Sequence, residues 1–169
     1  MEYSTFNTDM GWMAILGSER GLVSATLPQH SAQEALKLLG EMANNATLSP
    51  DRFKELIKRL KAYLSGHRVS FPNELDLSSA TPFQREVWQT TRLIPYGETR
   101  SYSWLAEKIG KPRAVRAIGQ ALAGNPLPII IPCHRVISSN GKLGGYSGGL
   151  ETKRRLLHLE KAAILPQHI

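Results

Sequence analysis

The chain has 169 residues and a formal net charge of +7, and 41% of its residues are hydrophobic. This length predicts one compact domain or two small ones, and no apolar run is long enough to span a membrane. The single cysteine, Cys133, excludes an internal disulfide framework. It favours a reducing compartment, the cytoplasm or, in a eukaryote, the nucleus. The positive charge suits a polyanion such as nucleic acid, although a solvated basic surface would give the same charge.

Residues 1–75 predict a small N-terminal α+β domain. Three short runs of strand-forming residues, punctuated by Gly11, Gly17 and Gly21, predict an antiparallel meander. The pattern Ser31-x-x-Glu34 predicts a capping box that opens a helix. Apolar residues at helical spacing predict its buried face: Ala32, Leu36, Leu39 and Ala43, with Ala35 and Met42 beside them.

A second helix is predicted to start at Ser49-Pro50-Asp51, where a cap is followed by proline and an acidic residue. Apolar residues continue at helical spacing to Leu64, and Gly66 ends the helix. Residues 67–75 predict a strand broken by Pro72. None of these residues suggests any chemistry.

Residues 76–80 are predicted to be a linker, and residues 81–169 a mainly helical C-terminal domain. Thr81-Pro82-Phe83-Gln84 combines a cap, a proline at the first helical position and a glutamine that closes a capping box. Further on, Pro95-Tyr96-Gly97 predicts a turn. The fold class predicted for the whole chain is α+β, with an antiparallel sheet in its first domain.

Two short helices, at about residues 103–109 and from about Arg113, flank a tight turn at Gly110-Lys111-Pro112. They predict a helix-turn-helix, although an ordinary packed helix pair fits equally well. On the second helix, three residues would face the core: Val115, Ile118 and Leu122. The exposed face would hold Arg113, Arg116, Ala117 and Gln120. Such small and basic residues favour contact with the DNA backbone or the minor groove over base reading in the major groove.

Cys133 lies between an apolar, proline-bounded segment, residues 127–132, and a glycine-rich loop, residues 137–149. This pattern predicts a pocket with a nucleophile at its base, although a lone cysteine is more often a small buried hydrophobe. The neighbouring His134 and Arg135 bring positive charge, which is expected to lower the pKa of the thiol. Isolated histidines and a single cysteine predict no metal site.

The last helix is predicted at about residues 151–161, with Leu156, Leu157 and Glu160 on one face. A carboxylate on a leucine-rich face is costly unless it has a partner. Glu160 therefore either lies at the rim in solvent or orients His134, as a third group orients the base in other nucleophile–base systems.

The segment Pro132-Cys133-His134-Arg135-Val136, with Asn125-Pro126 before it and Gly144 to Gly149 after it, resembles the O6-alkylguanine-DNA alkyltransferases. The resemblance covers residues 81–160 closely and the first eighty residues loosely. It implies DNA repair by irreversible transfer of an alkyl group from O6-alkylguanine in double-stranded DNA to Cys133. It implies one turnover per molecule, no cofactor, no metal and a monomer.

The resemblance also implies the catalytic roles. Cys133 would attack as a thiolate, His134 would act as the base through a water molecule, and Glu160 would hold the histidine. The Tyr102 hydroxyl would approach N3 and assist the departure of the guanine. From the residues alone, Tyr102 is an ordinary half-buried aromatic residue.

The same resemblance implies how the substrate is held. The Ser147 backbone N–H would bond O6, next to Tyr146, and the carbonyls of Cys133 and Val136 would receive the exocyclic amine. Asn125 would brace the turn before the cysteine, and Arg116 would fill the space left by the flipped nucleotide. An asparagine in a turn before proline has an equally good local explanation for Asn125.

Two other functions stay open. A cysteine hydrolase or acyltransferase would use Cys133 and His134 with turnover through an acyl intermediate. A non-catalytic helix-turn-helix regulator would bind DNA and would not need Cys133.

Overall fold

The structure is a computed structural model that describes residues 1–161 and divides the chain into two compact units, residues 1–78 and 79–169. The predicted α+β class is confirmed, with a sheet and two helices in unit 1 and a mainly helical unit 2. Within the described residues, no helix is long and apolar enough to cross a membrane.

The sheet of unit 1 contains the predicted antiparallel meander: β1 (Glu2–Thr8), β2 (Gly11–Ser18) and β3 (Gly21–Ala25). A short strand that the sequence pattern did not predict, β4 (Thr47–Leu48), pairs in parallel with β1. The strand order is therefore β3-β2-β1-β4. Met13 to Leu16 are all buried, and because successive side chains of a strand point to opposite faces, both faces of β2 are covered.

The first helix, α1 (Ala32–Leu38), begins as predicted, with the Ser31 hydroxyl accepting a hydrogen bond from the Glu34 backbone N–H at 3.1 Å. The Glu34 carboxylate accepts from the His30 N–H instead of the Ser31 N–H. The helix is shorter than the apolar pattern implied. Gly40, at φ +77°, turns the chain into a separate turn of 3-10 helix, so the predicted place of Met42 beside a buried face is wrong, and Met42 is 48% exposed.

The second helix, α2 (Lys54–Leu64), follows a turn of 3-10 helix over Asp51–Phe53 and ends at Gly66 as predicted. The Gly66 N–H bonds the Tyr63 carbonyl and the His67 N–H bonds the Ala62 carbonyl, which is the hydrogen-bond pattern of a Schellman cap.

The strand predicted for residues 67–75 is wrong. Only Leu75 makes a bridge, to Leu22, while the Leu22 N–H and carbonyl bond Glu74 and Asp76. Pro72 has no N–H for a ladder, and the preceding residues form no regular structure.

The described part of unit 2 contains four α-helices: α3 (Pro82–Thr91), α4 (Tyr102–Lys108), α5 (Val115–Ala123) and α6 (Leu150–Leu159). The capping box of α3 is complete, with Thr81 and Gln84 each accepting the other's backbone N–H. Two short strands, β5 (Arg100–Ser101) and β6 (Val136–Ile137), pair in parallel. The Trp88 indole N–H bonds the Ala121 carbonyl at 2.9 Å and joins α3 to α5.

Helices α4 and α5 pack against each other and are joined by a short turn in which Gly110 adopts φ +74°, an arrangement that fits both the helix-turn-helix and the ordinary packed helix pair. Ile118 and Leu122 are buried, as predicted. Val115 is not: it lies in the first turn of α5, is 38% exposed and faces the cavity beside Cys133, so its predicted place in the core is wrong.

Candidate active site

A strained and buried segment presents Cys133. Residues 129–131 are almost fully buried, and Ile129 has φ +76°, a left-handed conformation that is unfavourable for a β-branched residue. The Cys133 N–H then bonds the Ile131 carbonyl at 2.7 Å, and Cys133–Arg135 form one turn of 3-10 helix. The sharp turn fixes the direction of the thiol because the surrounding apolar residues hold the backbone.

A cavity of about 520 Å³ opens at this thiol. One wall is a face of α5, and another is the glycine-rich loop. Its lining residues are Tyr102, Val115, Gly119, Leu122, Ala123, Cys133, Ser138, Gly144, Gly145, Tyr146 and Ser147. The volume lies within the ordinary range for small-molecule pockets, and the predicted arrangement of a nucleophile at the base of a pocket is present.

Asn125 braces the turn that carries the thiol. Its amide Nδ2 donates to the Ile131 carbonyl at 2.9 Å and to the Cys133 sulfur at 3.0 Å, while its Oδ1 accepts from the Leu127 N–H at 2.9 Å. One side chain therefore joins the end of α5 to the nucleophile. A turn asparagine with only local bonds would not reach the sulfur.

The expected lowering of the Cys133 pKa is wrong. Burial raises the pKa of the thiol, while the Asn125 hydrogen bond, the Lys153 charge and the Tyr146 hydroxyl oppose that rise. Arg135 is not among the groups that shift the pKa of the thiol, because its guanidinium is bonded to Glu160 and to the Ile94 carbonyl. Sequence adjacency to His134 and Arg135 therefore gave the wrong source of positive charge.

Glu160 is buried and accepts four hydrogen bonds. His134 Nε2 donates to its Oε2 at 2.7 Å, Arg135 Nε and Nη2 donate at 2.8 and 3.0 Å, and the Gly97 N–H donates at 3.1 Å. Arg135 also donates to the Ile94 carbonyl. Of the two alternatives for Glu160, the rim in solvent is wrong, because its side chain is 0% exposed and contacts His134.

The charges in this cluster follow from its geometry. Burial alone would raise the pKa of Glu160, but its interactions with His134 and with the bidentate Arg135 lower it to about 2. Burial lowers the pKa of His134, which is therefore neutral at pH 7. With its Nε2–H donated to Glu160, a neutral imidazole has its Nδ1 in the proton-accepting form.

Lys153 is the functional candidate that sequence reasoning missed. It is 0% exposed, and its ammonium donates to the carbonyls of Val136, Leu143 and Gly145 at 2.6, 2.5 and 3.0 Å. Burial lowers its pKa to about 8. The signal was available, because Lys153 stands three and seven residues before Leu156 and Glu160 on the same helical face.

Two tyrosines stand on the walls of the cavity. The Tyr102 hydroxyl donates to the Gly145 carbonyl at 3.4 Å, and burial raises its pKa. The Tyr146 hydroxyl is buried and, within residues 1–161, has no hydrogen-bond partner of standard geometry. Burial raises its pKa well above the ordinary value, with the Cys133 sulfur as the next cause. Both phenols therefore keep their protons at neutral pH.

Of the two substrate-binding candidates, Ser147 lines the cavity, whereas Val136 is fully buried and is not one of its lining residues. Val136 is buried in β6, where its N–H bonds the Cys133 carbonyl and its own carbonyl accepts from Lys153. Ser147 is exposed in the loop that lines the cavity. A carbonyl oxygen has two lone pairs, so Cys133 and Val136 retain capacity for a ligand amine.

The predicted DNA-facing residues lie on the exposed side of α5 and its approach: Arg113, Arg116, Ala117 and Gln120. Arg116 directly follows Val115, which lines the cavity. Within the part of the chain that is described, no group of three or more His, Cys, Asp or Glu side chains could hold a metal ion.

Family models match both units. Residues 82–162 match the DNA binding domain of 6-O-methylguanine DNA methyltransferase, and residues 1–77 match its ribonuclease-like domain. A methylated-DNA–protein-cysteine methyltransferase of Mycolicibacterium paratuberculosis is 40% identical over 161 residues, 95% of this chain and 93% of that protein. One of Methanosarcina barkeri is 42% identical over 95% of this chain and 98% of its own length.

Solved structures show the same similarity. The crystal structure of Mycobacterium tuberculosis OGT in complex with DNA superposes with a TM-score of 0.81 at 41% identity, covering 95% of this chain and 93% of that chain. The crystal structure of the M. tuberculosis O6-methylguanine methyltransferase gives a TM-score of 0.79 at 41% identity, covering 95% of this chain and 92% of that chain.

Proposed function

The chain belongs to the 6-O-methylguanine DNA methyltransferase family, and we propose that it repairs DNA by moving the alkyl group of an O6-alkylguanine to Cys133. The observation that carries the proposal is the placement of that thiol. It lies at the base of a cavity, is bonded by Asn125, and precedes a buried His134–Glu160 pair in the chain.

The proposed reaction is a direct displacement at the alkyl carbon. The Cys133 thiolate forms an S–C bond while the O6–C bond breaks, and the electron pair of that bond stays on the guanine. The thiol proton leaves through the base, and a guanine nitrogen takes up a proton. The product is a stable thioether, so each protein molecule reacts once.

His134 is proposed to receive the thiol proton. Its neutral imidazole suits that task because Glu160 fixes the tautomer and would stabilise the cation that forms. A water molecule would bridge sulfur and imidazole, since side chains of adjacent residues rarely meet directly. Glu160 and Arg135 act as positioning residues, with Arg135 holding the carboxylate ionised.

The cavity is proposed to receive the base after it rotates out of the duplex. The Ser147 N–H would bond O6, and the carbonyls of Cys133 and Val136 would accept the exocyclic amine. The protonated Tyr102 hydroxyl would donate toward N3 and stabilise the leaving guanine. Tyr146 would pack beside the alkyl carbon. Flipping costs a few kcal/mol, and least for a damaged pair.

DNA is proposed to bind the exposed face of α5. Unit 2 carries thirteen basic and five acidic residues, a net charge of +8, which favours a polyanion. Arg113 and Gln120 would contact the backbone, and Ala117 permits a close approach. Arg116 would occupy the space of the flipped nucleotide, because it adjoins the cavity mouth at Val115.

Replacement of the nucleophile tests the proposal. Cys133→Ser preserves shape but offers a far weaker nucleophile at neutral pH. We expect transfer of a labelled alkyl group from duplex DNA to protein to fall to background, with DNA binding kept. Transfer by the variant at near wild-type rate would refute the proposal. Repeated turnover by the wild type would favour a hydrolase, and unlabelled wild-type protein that still binds DNA would favour a regulator.

A second test addresses the DNA-facing helix. Arg116→Ala should slow repair in duplex DNA by about tenfold or more, because flipping costs a few kcal/mol. Reaction with free O6-benzylguanine base, which needs no flipping, should stay near the wild-type rate. Gln89→Ala, at an exposed position of α3 that is not among the proposed DNA contacts, is the control. Equal loss on both substrates would contradict the proposed role of Arg116.

We also propose that the protein acts as a monomer in a reducing compartment, the cytoplasm or a eukaryotic nucleus. Every residue proposed for the chemistry belongs to unit 2 of a single chain. The reactive Cys133 needs a reduced thiol, which such compartments maintain. Sedimentation of the free protein and of its complex with DNA would measure the oligomeric state.

A further inference from the structure

Lys153 is the buried charged residue to which the proposed chemistry gives no task. Its ammonium has three N–H bonds, and each is used, on the carbonyls of Val136, Leu143 and Gly145. These carbonyls belong to two segments, strand β6 and the glycine-rich loop. One cation therefore ties the strand behind Cys133 to the loop that carries Tyr146 and Ser147.

The cation has no carboxylate partner. No Asp or Glu oxygen in the described part of the chain lies within 4 Å of Lys153 Nζ, and the Glu160 carboxylate is paired with Arg135 and His134. The rings of Tyr102 and Tyr146 lie 5.8 and 6.0 Å from Nζ. Both phenols are protonated, so among the described residues around this cation the Cys133 sulfur is the group that can form an anion.

The Cys133 thiolate, in turn, needs a positive charge close to it. A buried thiolate is unfavourable without a compensating positive charge. His134 is neutral, and the Arg135 guanidinium forms an ion pair with Glu160. The positive charge that favours the thiolate comes from Lys153, and the thiolate in turn raises the pKa of Lys153.

We propose that Lys153 supplies the counter-charge for the Cys133 thiolate and, through its three hydrogen bonds, is a positioning residue for the loop that receives the base. This inference rests on the proposed function and adds to it. Of the neighbours in sequence, His134 receives the proton and Arg135 holds Glu160 ionised, whereas a lysine from α6 makes the nucleophile ionisable.

The ionisable groups that face Lys153 are Cys133, Tyr102, Tyr146 and, further away, His134. Because the thiol and the ammonium interact, the pKa for loss of the first proton belongs to the pair and not to either group. Without the lysine charge, the thiolate would form only at higher pH. The rate of transfer depends on the fraction of Cys133 that is thiolate, so the pH midpoint of the rate would rise as well.

The test measures transfer from free O6-benzylguanine base over a range from mildly acidic to alkaline pH. Lys153→Gln keeps an N–H donor and removes the charge. Its pH midpoint should rise by about one unit or more, and its rate at neutral pH should fall about tenfold or more. Lys153→Arg should keep the wild-type midpoint. Lys142→Gln, an exposed position in the same loop, is the matched control and should change neither.

A Lys153→Gln midpoint equal to that of the wild type would overturn the inference and leave the proposed function intact. A wild-type protein that accepts no alkyl group at all would instead contradict the proposed function.

A measurement on the wild-type sequence avoids any variant that folds poorly. The ¹⁵N signal of the Lys153 ammonium is followed against pH before and after methylation of Cys133 with methyl iodide. Methylation removes the thiolate, so the pKa of Lys153 should fall. An unchanged pKa would show that the two groups are not coupled and would overturn the inference.

Discussion

The two units of this chain bury different kinds of residue. In unit 1 the buried polar side chains are Ser4 and Thr26, and the rest of the core is apolar. Unit 2 buries four ionisable side chains beside its thiol: His134, Arg135, Lys153 and Glu160. Buried charges are costly and are retained where a site needs them, so the contrast separates a unit built for packing from one built for chemistry.

Surface charge follows the same division. Residues 1–78 carry eight basic and nine acidic side chains, a net charge of −1, whereas residues 79–169 carry the whole positive excess of the chain. The overall charge of +7 therefore described neither unit. It understated the attraction of unit 2 for DNA and attributed to unit 1 a basicity that it lacks.

The largest expected effect comes from breaking the buried cluster. Glu160→Gln leaves the Arg135 cation buried without its carboxylate, so we expect a loss of about 3–5 kcal/mol in the free energy of unfolding and slower alkyl transfer. Urea unfolding at neutral pH measures the loss of stability, and the rate of transfer from O6-benzylguanine measures the loss of activity.

A packing variant in unit 1 is the control. Leu60, in α2, is 0% exposed, and Leu60→Ala should cost about 2–5 kcal/mol through a cavity. Transfer at temperatures below its melting point should be unchanged. If both variants slowed transfer equally, the assignment of chemistry to unit 2 alone would be wrong.

Acid should destabilise unit 2 first. The pKa of Glu160 is about 2 in the folded protein against an ordinary value of 4.5, which we take for the unfolded chain. A lowered pKa stabilises the fold above the unfolded value, and this contribution is lost as the pH falls from about 4.5 toward 2. A difference of this size corresponds to about 3 kcal/mol.

Amide NMR signals of residues 1–78 and 79–161, followed during urea unfolding at decreasing pH, would measure this loss unit by unit. Glu160→Gln should abolish most of the acid sensitivity of unit 2. Loss of unit 1 signals before those of unit 2 would contradict the expected order.

Alkylation should lower the stability of unit 2 by a smaller amount. Added carbon atoms overpack the turn at Cys133, at a typical cost of about 1–3 kcal/mol, and Asn125 passes the strain to α5. The methylated protein should therefore melt at a lower temperature, and a benzylated one lower still.

Melting is measured before and after complete reaction, with DNA removed, because bound DNA would itself stabilise the fold. An unchanged or higher melting temperature would show that the pocket accommodates the product without strain.

The smallest expected effect is a gain. A Cβ at Gly119 in α5 meets no atom within 4 Å, so Gly119→Ala should raise stability by about 0.5–1 kcal/mol through helix propensity. Gly144→Ala is the contrasting variant, because Gly144 has φ +73° and its Cβ would lie 2.8 Å from the Tyr102 ring and hydroxyl. It should lose both stability and transfer. A stable and active Gly144→Ala would show that the loop moves away from Tyr102 at little cost.

Several features of the chain are determined by local sequence. The meander, the cap at Ser31, the capping box of α3 and the turn at Gly97 were predicted because hydrogen bonds and backbone preferences within a few residues decide them. The family was equally readable, because its motif is contiguous around Cys133. Failures arose where the outcome depends on long-range pairing, as at residues 67–75, where only Leu75 pairs with the edge strand β3 and Pro72 has no N–H to donate.

Only the tertiary structure decided the electrostatics of the site. Sequence adjacency assigned Arg135 to the thiol, but folding brings Glu160 from 25 residues away to take that charge. Lys153, 20 positions after Cys133, is the cation whose charge acts on the thiol. Burial and charge pairing depend on which side chains meet in space and on the water that their meeting excludes. Neither quantity is encoded in the spacing of residues along the chain.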